Sequence, residues 1–319
     1  MNNVMDLSIC ILTHHLPDLL PKCVEHSLAE IDRAGLRGEV IIIDNASFDG
    51  SPQATAARFP SVKILRNEQN LGFSMANNKG IQVSTGRYVL ILNDDAFLEK
   101  DSLRLMIEQL ESDPRIAAVG PKLLNLDGSL QRGFTHRSFP HLTGVLSQIL
   151  LLEEFLERRS WTRKLTMSRD PDLGGDSEHL AGACLLLRRT ALDRVGGFDE
   201  AFYRWFEDTD LCHRLKDAGW RVVYVPQAHV SHYGTATMSR MTLTEKNMFY
   251  FDPLRRYFRR HSSFWYYQLV RLAVAAAVLT RATGAVVYKL LRGTSTSVGR
   301  RETIKRSLSV VRLMFRHQD

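Results

Sequence analysis

A chain of 319 residues, 44% hydrophobic and 24% charged, can bury one large core or two moderate ones and has a globular composition. Its four cysteines (Cys10, Cys23, Cys184 and Cys212) form no CxxC pair, so neither a zinc site nor a disulfide framework is suggested, and reduced thiols in a cytosolic protein are the simplest reading. The net charge of +7 is uneven: 251–319 carries 14 Lys/Arg against 3 Asp/Glu and the other 250 residues 28 against 32, so nucleic acid is not the obvious partner.

The opening "MNNVMDLSICILTHH" lacks a basic start, and its apolar run reads as a strand rather than a signal peptide. The first half then alternates. "LSICILT" (Leu7–Thr13) is a strand, and a helical stretch runs from about Pro17 to Ala34. "EVIIIDN" (Glu39–Asn45) is a second strand, followed by a turn and helix in "SFDGSPQATAARF". "VKILRN" (Val62–Asn67) is a third, followed by a glycine turn and helix in "GFSMANNKGIQVS". "RYVLILND" is the fourth, and five consecutive apolar residues, Tyr88 to Leu92, leave it no solvated face. "DSLRLMIEQLES" spaces Leu103, Met106, Ile107 and Leu110 as a helix does, and "IAAVGPKLL" is a fifth strand candidate. Strands separated by helices imply an α/β fold, a mostly parallel sheet with helices on both faces.

In such sheets ligands bind outside the carboxyl ends of the strands. Asp44–Asn45, Asn67–Asn70 and Asn93–Asp95 fall at three of those ends and are expected on one rim. Asp44 either begins an Asx turn in "DNAS" or accepts a hydrogen bond from a base or ribose. Asp94 and Asp95 either cap the next helix or hold a cation, because burial of two adjacent carboxylates raises a pKa unless a cation or donors offset it.

The stretch 133–176 changes character. It mixes one amphipathic helix with loop-like flanks and reads as an insertion covering the site, its run "EEFLERR" being a solvated helix face. Next come the strand "GACLLLRR", the turn "GGFDE" and the helix "EDTDLCHRLKDAGW", whose first turn carries Glu207, Asp208 and Asp210. Favourable interaction with the helix dipole explains those acids cheaply. It does not explain why they directly follow "FYRWF", an apolar wall that suits a sugar face and a raised carboxylate pKa. "RVVYVP" is a strand leading to "HVSH", where extended geometry puts His229 and His232 on opposite faces, so that only one of them can serve a given metal. Near the C-terminus "HSSFWYYQLVRLAVAAAVL" is apolar and aromatic within a basic region. No run reaches the roughly 18 to 20 uncharged residues of a spanning helix, so the tail is either a solvated helix pair or a contact with an anionic membrane surface.

The ordered set "IIIDNASFDGS", "NEQNLGFSMANNKGI", "LNDDAFL", "GACLLLRR", "GGFDEAFYRWFEDTDLCHRL" and "VSHYG" resembles the family 2 glycosyltransferases of the GT-A fold, in particular their bacterial rhamnosyltransferase-like branch. The likeness spans about Leu7 to Gly234. It implies a Rossmann-like GT-A domain over 1–240, with a nucleotide-sugar half (1–125) and an acceptor and catalytic half (126–240), followed by a basic helical region over 241–319. It places Thr13, Asp44, Asn70, Gly72, Asn78, Asn93 and Asp94 in the nucleotide-sugar pocket, and Asp95 with His232 on a divalent metal, Mn2+ or Mg2+. Asp208 takes the position of the general base, with Glu207 beside it. Asn93 departs from the first aspartate of the family's Asp-X-Asp pattern, and "THH" replaces the tyrosine and asparagine often found after the first strand.

The resemblance implies inverting transfer from a nucleoside-diphosphate sugar. dTDP-L-rhamnose is the favoured donor, and UDP- or GDP-hexoses are the alternative. The acceptor is expected to be a saccharide, either a cell-surface glycan precursor or one linked to a polyprenyl diphosphate, and the enzyme is expected in the cytoplasm, peripheral on the inner face of the membrane. Two rivals from other classes are a non-catalytic nucleotide-sugar-binding scaffold and a nucleotidyltransferase. The scaffold predicts damage at Asp95, Asp208 or His232, and the nucleotidyltransferase a glycine-rich basic loop near the N-terminus, where "ILTHHLPDLL" has none.

Overall fold

The structure, a computed structural model, describes residues 5–134, 136–234, 241–292 and 297–316. It divides into two compact units, residues 1–139 with 169–239 and residues 140–168 with 240–319.

The first unit holds strands β1 (Leu7–Thr13), β2 (Gly38–Asn45), β3 (Lys63–Asn67), β4 (Tyr88–Asn93), β5 (Ala96–Leu98), β6 (Ile116–Leu124), β7 (Gly175–Asp176), β8 (Cys184–Arg188) and β9 (Arg221–His232). They form one sheet in the order β3-β2-β1-β4-β8-β6-β9-β5, with β7 beside β9. The pairs β3-β2, β2-β1, β1-β4 and β6-β9 are parallel, and β8 enters antiparallel to both β4 and β6. The expected mostly parallel sheet is therefore present, with β8 and the short β5 and β7 as its antiparallel members.

Helices α1 (Leu20–Arg33), α2 (Ser51–Arg58), α3 (Gly72–Val83) and α4 (Ser102–Ser112) connect the early strands. Both faces of the sheet are buried, and the pleat explains how one strand serves two cores. Ile9, Ile11, Leu90 and Leu92 pack with Leu20, Cys23 and Val24 of α1 and Leu103 and Met106 of α4. Cys10, Val89 and Ile91 point the other way, toward Ala76 of α3.

The register aligns the carboxyl ends. Thr13 pairs with Asp44, Asn45 with Asn67, and Leu12 with Asn93, so the polar residues stand in one row. At the opposite end Glu39, 5% exposed, ties the same strands together. It accepts hydrogen bonds from Ser8 Oγ (2.6 Å), Lys63 Nζ (2.6 Å) and the backbone and hydroxyl of Thr85 (both 2.8 Å).

The second unit is helical: α5 (Leu142–Ile149), α6 (Glu153–Glu157), α7 (Ser160–Arg163), and, after α8 (Arg189–Val195) and α9 (Glu207–Asp217) of the first unit, α10 (Leu243–His261), α11 (Phe264–Leu291) and α12 (Ser297–Phe315). Residues 140–168, expected in the acceptor half, group with the C-terminal helices and form three short helices. Val145 and Ile149 are buried on α5, which packs on α11. The boundary drawn after 240 abuts 235–240, which lie outside the described residues. Helix α11 also goes beyond the uncharged-run count, since Phe264–Tyr288 is long and apolar enough to cross a membrane by length and composition, with 28% of its most apolar window buried.

Burial pushes the Glu39 carboxyl up, but the hydrogen bonds from Lys63, Ser8 and Thr85 outweigh it and hold it at about 2. A depressed carboxylate stabilises the fold above its ordinary pKa and loses that contribution as pH falls toward the folded value. Glu39→Gln is thus expected to lose about 2 kcal/mol at pH 7, after discounting the exposed Lys63 end, and the gap to the parent should shrink as pH falls from about 4.5 toward 2. Urea midpoints of the two proteins at pH 7 and pH 3 check this.

Candidate active site

The carboxyl end of β2 makes a pocket with one unanswered acceptor. Asp44 is fully buried, and its Oδ1 takes the Ser47 N–H at 2.8 Å, so the Asx turn is real. Its Oδ2 is buried without a hydrogen-bond partner, with Arg66 Nε at 3.8 Å, and is left to accept from a ligand. The turn uses one oxygen and leaves the other unpartnered. Beside it His15 adopts φ +58°, and its ring lies 3.8 Å from that of the exposed Phe48. Burial and the charge of His15 hold His14 below the usual imidazole range, with Arg204 adding to that and Asn45 and Asp44 opposing it.

Asn45 builds the glycine turn that precedes α3. Its amide donates to Asn70 Oδ1 at 2.9 Å, and its oxygen accepts from Asn67 Nδ2 (3.2 Å) and Leu71 N (3.0 Å). Asn70 Oδ1 also receives the Gly72 N–H at 3.0 Å and the Tyr203 hydroxyl at 3.3 Å. Gly72 has φ +77°, and a Cβ there would lie 2.6 Å from the Tyr203 ring and 2.8 Å from its carbonyl oxygen. Only glycine fits. Asn78, expected among the pocket residues, is engaged elsewhere. Its amide donates to Phe198 O (2.8 Å) and Glu200 Oε1 (3.0 Å), and its oxygen takes the Phe198 N–H (2.8 Å). Both ends of the side chain clamp the turn at 197–200.

At the ends of β1 and β4, Thr13 and Asp94 are buried, and Thr13 Oγ1 and Asp94 Oδ2 lack partners of standard hydrogen-bond geometry. Burial, then the charge of Asp95, raises the Asp94 carboxyl to about 7, with the nearby Thr13 hydroxyl and the His14 backbone opposing the rise. The strand β5 that follows pairs antiparallel with the end of β9, setting Ala96 opposite His232. His232 Nε2 therefore lies 3.2 Å from Asp95 Oδ1 and 3.4 Å from Asn93 Nδ2. Adjacent ligands on an ion with bonds of about 2.1 Å stand about 3 Å apart, so these two atoms fit one divalent cation. Alternation along β9 leaves His229 exposed and His232 buried, as the extended chain requires.

The second carboxylate pair opens α9. Trp205 (φ +64°) and Phe206 (φ +68°) are consecutive non-glycine residues in left-handed conformation, strain of the kind that accumulates at functional sites. Asp208 Oδ2 takes the Gly182 N–H at 2.9 Å, and Oδ1 takes the Thr209 N–H at 2.7 Å. Ala183, next to Gly182, accepts the Asn93 N–H at 3.0 Å, which ties this carboxylate to the end of β4. His179 Nε2 stands 3.4 Å from Asp208 Oδ2. Burial pushes Asp208 up, but His179 and the Gly182 and Thr209 N–H groups outweigh it, and its carboxyl sits below the usual range. Glu207 goes the other way, raised well above the usual range by burial and by the charge of Asp208, its Oε2 unpartnered. The raised carboxyl expected beside "FYRWF" is therefore Glu207, and the ionised one is Asp208.

Residues 8–196 match the model of glycosyl transferase family 2, and residues 156–302 match glycosyl transferase family group 2. The chain is 32% identical over 260 residues to the N-acetylglucosaminyl-diphospho-decaprenol L-rhamnosyltransferase of Mycobacterium tuberculosis, covering 76% of this chain and 82% of that one. The chain belongs to glycosyl transferase family 2. It is also 32% identical over 146 residues to Rhamnosyltransferase WbbL of Escherichia coli K12, covering 46% of this chain and 52% of that protein. Among solved structures it is similar to the mannosyltransferase PcManGT of Pyrobaculum calidifontis in complex with GDP-Man and Mn2+ (TM-score 0.56, 15% identity, 98% of this chain and 87% of that one). GalNAc-T7 with UDP, GalNAc and Mn2+ gives a TM-score of 0.55 at 16% identity, over 72% of this chain and 43% of that one. At these identities the likeness establishes the GT-A fold.

The fold brings Thr13, Asp44, Asn70, Gly72, Asn93, Asp94 and Asp95 to the carboxyl ends of β1 to β4, and adds His232 through β9. His179 and Gln131 were not foreseen. Each lies more than 25 residues from its partner, in a stretch with no repeat or motif to mark it. Gly72→Ala is expected to cost about 3 kcal/mol, from the left-handed φ and the overlap with Tyr203, and to weaken nucleotide affinity as the Asn70 turn shifts. Urea denaturation and calorimetric titration with thymidine diphosphate measure the two effects.

Proposed function

We propose that this protein is an inverting hexosyltransferase that moves L-rhamnose from dTDP-L-rhamnose to a lipid-linked saccharide acceptor in cell-surface glycan synthesis. The observation that carries the donor and acceptor is the 32% identity, over most of both chains, to the mycobacterial L-rhamnosyltransferase. The geometry supports the chemistry. Asp44 Oδ2 and the Asn45–Asn70–Gly72 turn offer hydrogen-bonding groups to a nucleoside, and Asp95 with His232 would hold Mn2+ or Mg2+. An imidazole ligand tilts the choice toward manganese. The ion supplies charge neutralisation for the departing diphosphate.

Asp208 is our candidate base. It is ionised and held by two backbone N–H groups, and it takes the acceptor proton as the hydroxyl oxygen bonds to the anomeric carbon. That hydroxyl becomes acidic as the bond forms, so a carboxylate of depressed pKa suffices. Glu207, held neutral, leaves a single negative charge on the pair and limits its repulsion of the donor. One in-line displacement assisted by one base inverts the anomeric centre.

The C-terminal unit supports contact with an anionic membrane. Trp265, Leu269, Leu272, Leu279 and Val287 recur at helical spacing along α11 and are exposed, in a region rich in arginine.

Asp208→Asn is expected to lower turnover about 10²- to 10⁴-fold while leaving donor affinity within a few-fold of the parent. Release of thymidine diphosphate from dTDP-rhamnose, followed with acceptor present, is the assay, and unchanged turnover would move the base elsewhere. Thermal shifts against a panel of nucleotide sugars with and without Mn2+ test the donor, with the largest metal-dependent shift expected for dTDP-rhamnose.

A further inference from the structure

Gln131 sits on the loop after β6, 101 residues from His232, and is 6% exposed. Its backbone is fixed by a bond from its N–H to Leu123 O (3.1 Å) and by the Phe134 N–H donating to its carbonyl (3.3 Å). Its side chain meets His232 twice. Gln131 Nε2 donates to the His232 carbonyl at 3.1 Å, and Gln131 Oε1 faces His232 Nδ1 at 2.6 Å. Gly234 makes room for the amide, since a Cβ there would lie 2.4 Å from Gln131 Nε2.

This double contact determines where the imidazole proton goes. A backbone carbonyl only accepts, so the end of the amide that faces it must be the nitrogen. The amide oxygen then faces Nδ1 and also only accepts, so Nδ1 carries the hydrogen. In a neutral ring Nε2 is left bare, and Nε2 is the atom 3.2 Å from Asp95 Oδ1. Two groups face Nε2, the Asn93 amide nitrogen at 3.4 Å and the nearer, anionic Asp95 at 3.2 Å; without Gln131 the carboxylate draws the hydrogen to Nε2, joining the two ligand atoms to each other and closing the cation position between them. Asp95 and Gln131 thus compete for the single proton of His232.

We propose that Gln131 is a positioning residue that fixes His232 as the Nδ1–H tautomer, so that Nε2 and Asp95 are open to a divalent cation. The inference rests on the metal-assisted transfer argued above. It differs from a packing role in what it predicts for two variants. Gln131→Leu keeps bulk and removes both hydrogen bonds; Gln131→Glu keeps an acceptor for Nδ1–H and loses the donor to the His232 carbonyl.

The test is Mn2+ affinity, read by electron paramagnetic resonance with saturating thymidine diphosphate and no acceptor. Gln131→Leu should weaken Mn2+ binding about 10- to 100-fold, the usual effect of removing the group that orients a metal-bound histidine. Gln131→Glu should bind Mn2+ within a few-fold of the parent even if its melting temperature falls. Equal Mn2+ affinity in the parent and Gln131→Leu overturns the proposal, as does equal weakening in both variants. Asp95→Ala separates the levels. Parent Mn2+ binding that survives Asp95→Ala defeats the metal site itself, whereas binding lost in Asp95→Ala but retained in Gln131→Leu defeats only the role of Gln131. If Gln131→Leu does not fold, long-range ¹H–¹⁵N correlation of the parent's histidine rings decides. The Nδ1–H pattern for His232 supports the proposal, and the Nε2–H pattern overturns it.

Discussion

The candidate site depends on one antiparallel contact, the pairing of Ala96–Leu98 with Val230–His232. It joins the strand end at Asp94–Asp95 to a histidine more than 130 residues later, and it is only three residues long. So short a strand has little stability of its own. What holds it is burial, because Ala96, Phe97 and Leu98 all lie in the main core with α1 and α4. The Asp95–His232 approach is therefore set by hydrophobic packing on one side of the sheet, and the polar atoms follow.

Much of this was legible in the residues. The alternation of strands and helices through Ser112, the burial of both sheet faces and the row of Asp and Asn at the strand ends followed from runs such as "YVLILNDD" and "EVIIIDN". Alternation in "HVSH" correctly allowed only one histidine to turn inward. Three features were not legible. β5 is too short to have a period, the antiparallel direction of β8 is not written in the strand "GACLLLRR", and 140–168 belongs with helices encoded a hundred residues later. Each depends on non-local partners, which local patterning cannot carry. Asn78 shows the reverse limit, since its place in a motif implied a ligand contact and its surroundings give it a turn to hold.

The two acidic pairs obey one rule with different outcomes. In each, adjacent buried carboxylates cannot both ionise cheaply. At Glu207–Asp208 the donors Gly182, Thr209 and His179 all favour Asp208, so the charge settles there and Glu207 is left neutral. At Asp94–Asp95 the Gly234 N–H donates to Asp95 Oδ2 at 3.0 Å, while Asp94 keeps an unpartnered oxygen and is pushed to about 7. At Glu207–Asp208 the donors thus select which carboxylate carries the charge, whereas Asp94 is raised first by its burial and then by the charge of Asp95.

Charge divides between the units in the same spirit. By sequence, residues 140–168 with 240–319 hold 20 Lys/Arg against 7 Asp/Glu, and the sheet-bearing remainder holds 22 against 28. On the proposed function the unit that takes the anionic donor is itself acidic, so general electrostatic attraction would not explain binding. On the function proposed above, recognition there would come from fixed groups at short range, meaning the orphaned Asp44 oxygen, the Asn70–Gly72 turn and a cation on Asp95 and His232. That demands strand register to within one residue, because a slip would turn Thr13, Asp44 and Asn93 to the opposite face. The Ser8–Glu39–Lys63–Thr85 network at the far end of the same strands is suited to prevent such a slip, which links a buried carboxylate with no contact to ligand directly to the geometry of the site.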